Sequence, residues 1–403
     1  MSTHRAHRNL SLFPWYVGAV STYAWMPVFF LYLASRVTVA EVLALEAIYY
    51  AAVVLLEVPS GYFSDRVGRR PTLVIAASAL VASYVGFAAS DSFLGLAVAQ
   101  ALLAVGLAFN SGTDTSMHYA SLAAAGLSQE FAQREARLAS MTFTVGAVSA
   151  VAGGAAGALD LRLPYVISGV AAMVALAAAL GMKEVDDSSL SGASPPGGFG
   201  GALRACGRLV RAAPLAWLFG ASVVGTVLNH VPYELYQPYL ARLPALPWGN
   251  TSTPLLAGLH VAAAWMLAAP VARRSAALRE RWGMAALVLV AMGIQVALIG
   301  LMAAWLHPVV AVLLLGRTLP RAMLDAPMNA AVAPRVPGPL RATYLSLQSL
   351  AGRLGFSVLL FMMSLATGSA AAESLQTPML LAAVVSAGLW LALAAGAWRG
   401  KQD

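Results

Sequence analysis

Gly61-Tyr62-Phe63-Ser64-Asp65-Arg66-Val67-Gly68-Arg69-Arg70 is the stretch on which the reading of this chain turns. It packs one acid, three arginines and two glycines into ten residues, between apolar runs of about twenty residues on each side, each long enough to cross a bilayer as a helix. Read outward, the pattern repeats to both ends. Of 403 residues, 60% are hydrophobic and only 10% charged, with a mean hydropathy of +0.74. Soluble domains carry about a quarter charged residues, so this composition describes a polytopic membrane protein. The net charge of +8 does not point to nucleic acid, because the basic residues fall in short clusters between apolar segments. Cys206 is the single cysteine, which excludes an internal disulfide. His4, Arg5, His7 and Arg8 precede a long apolar span without a small-residue cleavage site, so the start reads as a retained first helix.

Twelve spans are predicted, at about 11–34, 39–62, 71–90, 93–118, 138–159, 163–182, 214–240, 252–271, 284–305, 308–330, 341–367 and 377–398. Residues 183–212 break the series with Asp186, Asp187, a Ser/Gly/Pro run, then Arg204, Arg208 and Arg211: a flexible linker ending in a short basic amphipathic segment. The expected domains are therefore a six-helix bundle at 1–182, a linker at 183–212 and a second bundle at 213–403. With the N-terminus inside, the loops on that side collect Arg66, Arg69, Arg70, Arg134, Arg137, Lys183, Arg273, Arg274 and others, against Arg36, Arg162 and Arg242 alone on the other. This asymmetry supports the span count and places both termini in the cytoplasm. Asn250-Thr251-Ser252 fits a glycosylation sequon on an outer loop, a short pattern of high chance frequency.

The opening stretch resembles the signature loop of the major facilitator superfamily, G-x-x-x-D-R-x-G-R-R/K between the second and third membrane helices. Gly61, Asp65, Arg66, Gly68, Arg69 and Arg70 all match. The resemblance implies an all-α fold of two six-helix bundles and transport by alternating access. It also implies a gate: Asp65, just beyond a helix ending near Tyr62, would accept hydrogen bonds from the start of the eleventh helix near Arg341. The unsatisfied N–H groups and dipole of a helix N-terminus favour a carboxylate there. Glu57, one turn earlier, is expected to pair with Arg341 or a loop arginine. The alternative is that these arginines serve topology only. The matching loop of the second half, Arg273 to Trp282, keeps its basic charge but not the motif.

Two further stretches resemble bacterial drug and metabolite permeases of the same superfamily: Ser111-Gly112-Thr113-Asp114 through Tyr119-Ala120-Ser121-Leu122, with Ala120 where an aspartate is usual, and Asn329 followed by Arg341 to Leu347. Two departures weaken a drug/proton antiport assignment. Gln100 stands where exporters carry a fourth-helix arginine, and Gly146 to Ala155 lacks the fifth-helix proline.

Ionisable residues inside spans are functional candidates by default, because lipid makes them costly. Glu46, Asp114, His118, His230 and Glu234 are candidate proton carriers. Tyr23, Trp25, Tyr49, Asn229, Tyr233, Glu234, Gln237, Arg317, Arg321 and Arg353 are candidate substrate contacts. Asp114 and His118 share a helix face, as do His230 and Glu234. Asp114 and His118 could equally be interfacial, Asp325 a structural partner of Arg321, and His260 a packed histidine. Arg317, near the midplane, is balanced either by a protein carboxylate or by an anionic substrate.

No metal-ligand spacing, nucleotide loop or nucleophile elbow occurs, so no cofactor and no enzyme activity are expected. The reading is a monomeric, proton-coupled secondary transporter of the cytoplasmic (inner) membrane that exports an amphipathic organic molecule. The alternative within transport is uptake or facilitated passage of an anionic metabolite. The alternatives of another class are a transport-dead receptor and a membrane-embedded enzyme. The partners expected are the substrate, protons and the lipid bilayer.

Overall fold

A computed structural model describes residues 2–185, 198–213, 215–241, 243, 254–367 and 376–399. Every element among them is helical. In chain order these are α1 (Ser2–Val20), α2 (Phe29–Ala34), α3 (Val39–Val67), α4 (Arg69–Ala89), α5 (Phe93–Asn110), α6 (Thr113–Ala124), α7 (Phe131–Leu159), α8 (Leu163–Gly181), α9 (Gly198–Arg211), α10 (Leu215–Ala241), α11 (Pro254–Ala304), α12 (Pro308–Leu313), α13 (Leu319–Val332), α14 (Arg341–Thr367) and α15 (Gln376–Arg399).

Nine helices among the described residues are long and apolar enough to cross a membrane. The difference from the expected twelve lies in three places. At 51 residues, α11 would span about 77 Å as one rod, far more than a bilayer needs. It breaks at Gly283, whose φ of 76° reverses the chain between two crossings. The first crossing is interrupted at Ser21–Trp25, between α1 and a 3₁₀ turn at Met26–Val28. The tenth is interrupted by a 3₁₀ turn at Leu314–Thr318, and α1, though 19 residues long, begins with the polar His4–Arg8 stretch, so neither crossing holds one helix both long and apolar enough.

Other boundaries also move. The second crossing continues through Val67, past the predicted end at Tyr62, because nothing before Gly68 stops it. Gly68 N–H caps Ser64 C=O at 3.1 Å, and its φ of 129° turns the chain directly into α4. The fourth crossing runs on to Ala124 as α6, after a break at Gly112 (φ 71°), and α7 starts seven residues before the predicted 138. Within the linker, α9 buries Ala202, Ala205 and Cys206 and leaves Arg204, Arg208 and Arg211 outward, the basic amphipathic segment expected. Asp186, Asp187, Arg242 and the Asn250 sequon lie outside the described residues.

Two of the apolar cores draw on opposite sides of the linker. One gathers Tyr16, Tyr32, Leu73, Phe87, Tyr165 and their neighbours; the other gathers Leu228, Leu287, Met292, Phe356 and Leu393. Between them, α7 and α11 pack along a seam of small residues, Ala147, Ala150, Ala264, Ala268 and Ala272, closed by Phe143 and Trp265. Small residues let helix backbones approach closely where lipid supplies no hydrophobic drive between helices. This seam, with the α3–α14 contact, sets the polar groups described next.

Candidate functional site

The charges of the Gly61–Arg70 stretch sit at one end of the bundle, the linker face, beside α9. Asp65 lies in the last turn of α3, not beyond the helix as predicted. Its Oδ1 accepts from Ala342 N at 3.1 Å, and its Oδ2 from Thr343 N at 2.8 Å and Thr343 Oγ1 at 2.6 Å. These are unsatisfied donors of the first turn of α14, and a carboxylate there also meets the positive end of the helix dipole. Gly61, one turn earlier, lies against the same helix. A Cβ on it would stand 2.7 Å from Ser346 Oγ and 2.8 Å from Ala342 O.

The arginines of the stretch have distinct surroundings. Arg69 is buried, with Nε donating to Ser116 Oγ at 2.8 Å and Nη2 to Gly338 O at 3.2 Å. Arg66 is exposed and lies over the Tyr62 ring. Arg70 Nη2 reaches Leu180 O. The backbone N–H groups of Arg69 and Arg70 both donate to the Glu184 carboxylate, at 3.1 and 2.9 Å. Glu184 therefore caps α4 from the start of the linker, a role no local pattern could signal.

The expected pairing of Glu57 is corrected. Its carboxylate accepts from Ser111 Oγ at 2.6 Å, at the break between α5 and α6. Arg341 is fully buried; it donates to the Ala333 and Val336 carbonyls and lies over the Tyr119 ring at 4.4 Å. The helix-terminal carbonyls ahead of α14 hold this guanidinium, which leaves Glu57 for the freed Ser111 hydroxyl.

Deeper in, Asp114 occupies the first turn of α6. It accepts from Thr115 N and from Asn110 Nδ2, and Asn110 in turn accepts from Tyr16 OH at 2.7 Å. The Gly112 break thus creates a helix N-terminus inside the span, which a carboxylate suits. His118 shares the helix but not these partners. Its ring is 3% exposed, stacks on Phe13 at 4.7 Å and contacts Glu135 Oε1 at 2.5 Å through Nδ1. Glu135 Oε2 accepts from Asn329 Nδ2 at 3.0 Å, joining α7 to α13 across the linker divide. Sequence reasoning passed over Glu135 because it placed the residue in a loop; the early start of α7 brings it inside.

The remaining candidates gather between the two cores. Glu46 on α3 and Glu234 on α10 lie within electrostatic reach of each other, with Tyr50 beside both. Gln100 Nε2 donates to Glu46 Oε1 at 3.4 Å. Arg353 on α14 lies by Tyr49 and donates to Ser349 Oγ. On α10, His230 Nδ1 meets the Thr226 carbonyl at 2.7 Å; a carbonyl only accepts, so Nδ1 carries the proton and Nε2 is left as the titrating atom. Tyr233 is 42% exposed. Arg321 and Asp325 pair at 3.0 Å in the first two turns of α13, with side chains 57% and 43% accessible. Tyr23 lies within reach of Arg321 and sits edge-on to Trp265. Asn229 keeps a buried Oδ1 without a partner. The Gln237 side chain lies outside the described residues.

Two candidates change character. Trp25, expected in a substrate wall, donates through Nε1 to Tyr84 OH at 3.1 Å and stacks on Tyr165, inside the first core. The helix break at Ser21–Trp25 turns it inward. Arg317 sits in the 3₁₀ turn of the tenth crossing, 5% exposed, over the Tyr236 ring at 4.2 Å. Its Nη1 donates to Leu314 O and meets His260 Nε2 at 3.1 Å. Among the described residues it makes no ion pair. His260, read from sequence as a packed histidine, is thus an acceptor for a buried guanidinium.

The two-sided helical fold and the polar interior define a membrane transport protein. The family model described as Major Facilitator Superfamily matches residues 15–360. The chain belongs to that superfamily, a class of secondary transporters that sit in lipid bilayers and bind small-molecule substrates. Solved structures are similar at fold level. The human organic anion transporter MFSD10 (TETRAN) superposes with a TM-score of 0.68 at 16% identity, over 96% of this chain and 99% of that one. The nucleoside transporter NupG gives 0.65 at 14% identity, over 96% and 99%. The E. coli fucose:proton symporter FucP gives 0.65 at 15% identity, over 98% of each chain. No curated protein sequence matches the chain significantly.

Proposed function

We propose that this protein is a proton-coupled transporter of the cytoplasmic membrane that exports an amphipathic organic small molecule by alternating access. In this reading residues 1–182 and 213–403 rock as two bundles joined by 183–212. The observation that carries the proposal is the approach of Glu46 and Glu234, one acid on each side of the linker, in a space also lined by Tyr49, Tyr50 and Tyr233. Like charges disfavour one another, so a proton taken up by either acid eases repulsion between the two sides of the linker. Tyrosines beside them present apolar faces and hydroxyls to an amphiphile. At the linker face, the contact of Asp65 with α14 holds the inner side shut.

The test is transport in liposomes with an imposed pH gradient, using a panel of amphipathic dyes. Glu46→Gln and Glu234→Gln are each expected to abolish gradient-driven accumulation while sparing exchange. Accumulation that persists in both variants would rule out coupling through these acids.

A further inference from the structure

Resting on that transport reading, we infer that the transported molecule carries an anionic head, a carboxylate or a group of like charge and shape, and that Arg317 receives it. A cation withdrawn this far from water is costly unless something negative balances it. Yet the side chains set against this guanidinium are the Tyr236 ring and the His260 imidazole, and no acid among the described residues forms an ion pair with it. The other interior arginine of this crossing, Arg321, is already paired with Asp325.

The geometry is that of a site kept ready. Tyr236 covers one face of the guanidinium and stacks on His260 at 5.3 Å with an interplanar angle of 8°, so ring and imidazole form one rigid wall. Nη1 is taken by His260 Nε2 and Leu314 O. Nε is buried and has no acceptor. A guanidinium binds a carboxylate through two parallel N–H groups, and its Nε edge is the one left without a protein partner. The 3₁₀ turn at Leu314–Thr318 holds that edge in place, since Arg317 belongs to the turn rather than to a continuous helix.

The experiment compares three probes with one apolar body, 4-butylbenzoate, 4-butylbenzyl alcohol and 4-butylbenzylamine, by calorimetric binding to the full chain in nanodiscs. The benzoate is expected to bind about tenfold or more tightly than the alcohol and the amine. Arg317→Lys should remove that preference, because lysine cannot reproduce the fork. Equal binding of the three probes, no binding of any, or a preference that survives Arg317→Lys would overturn the inference. If Arg317→Lys does not fold, Arg317→Gln decides: it removes the Nε edge altogether, so the benzoate preference should disappear, and a preference that survives it sinks the idea. Binding is read here without transport. Gradient-driven accumulation without a carboxylate preference therefore leaves the transport proposal standing and removes only this one.

Discussion

Asp65 and Thr343, 278 residues apart, are joined twice: Oδ2 of the aspartate accepts from both the backbone N–H and the hydroxyl of the threonine. With Ala342 N on Oδ1, one carboxylate occupies the N-terminus of a helix on the far side of the linker. In the proposed gate, closure of the linker face depends on this charge meeting fixed donors.

Asp65→Asn keeps the shape but turns one oxygen into a donor that faces another donor. Charge-assisted hydrogen bonds contribute about 1.5–3 kcal/mol each, so the closed arrangement should lose about tenfold or more in population. Cys206 provides the readout. It is fully buried beside Leu340 and Tyr344, and burial, with the Asp65 charge second, pushes its thiol up to about 12. Maleimide labelling at pH 7 should be negligible in the wild type and rise in Asp65→Asn, with transport impaired. Unchanged labelling and transport would remove the gating role.

Gly61→Ala should weaken the same closure by steric means. The new Cβ meets Ser346 Oγ and Ala342 O inside van der Waals distance, an overpacking worth about 1–3 kcal/mol. Ser346→Ala should rescue it only in part, because the Ala342 carbonyl is backbone. Full rescue, or no effect of Gly61→Ala on labelling of Cys206, would show that the helices part easily here.

Glu135 and Asn329 offer a second link across the divide. A double-mutant cycle with Glu135→Gln and Asn329→Ala, read by thermal melting, should give a coupling of about 1 kcal/mol, as expected for contacting polar groups. Additive effects would mean that the 3.0 Å contact contributes nothing to holding α7 against α13.

At the opposite face, Arg36 and Arg162 converge on Asp91, at 3.0 and 2.6 Å, tying three loops together. The Arg162 hydrogen bonds, then the nearby charges, hold the Asp91 carboxyl below its ordinary 3.8. A depressed acid stabilises the fold above its unfolded pKa and loses that contribution as pH falls through the folded value. The melting temperature of wild type should therefore exceed that of Asp91→Asn by a constant, small margin from pH 8 to 5, and the margin should shrink once the pH falls below 3.8 and vanish below the depressed value in the fold. The pair is exposed, so a large margin at neutral pH would contradict this account.

Much of the architecture was legible in the order of residues. Apolar length marks crossings, and the Gly61–Arg70 stretch is local enough to be read as a unit. The partners were not legible, and the reason is physical. A membrane helix is apolar on nearly every side, so it shows no polar stripe to say which face turns inward or toward which neighbour. Trp25 was therefore placed in a substrate wall when it belongs to a core, and Glu57 was matched to Arg341 when Ser111 holds it. Glu184, Glu135 and His260 were missed as partners for the same cause: each acts on a residue far along the chain. Composition and spacing alone determined that this chain crosses a membrane many times and carries charges inside it. Only the packing of α3 on α14, of α7 on α11 and α13, and the breaks at Gly112 and Leu314–Thr318 decided which charges meet, because those contacts are set by helix rotation and close approach rather than by any local pattern.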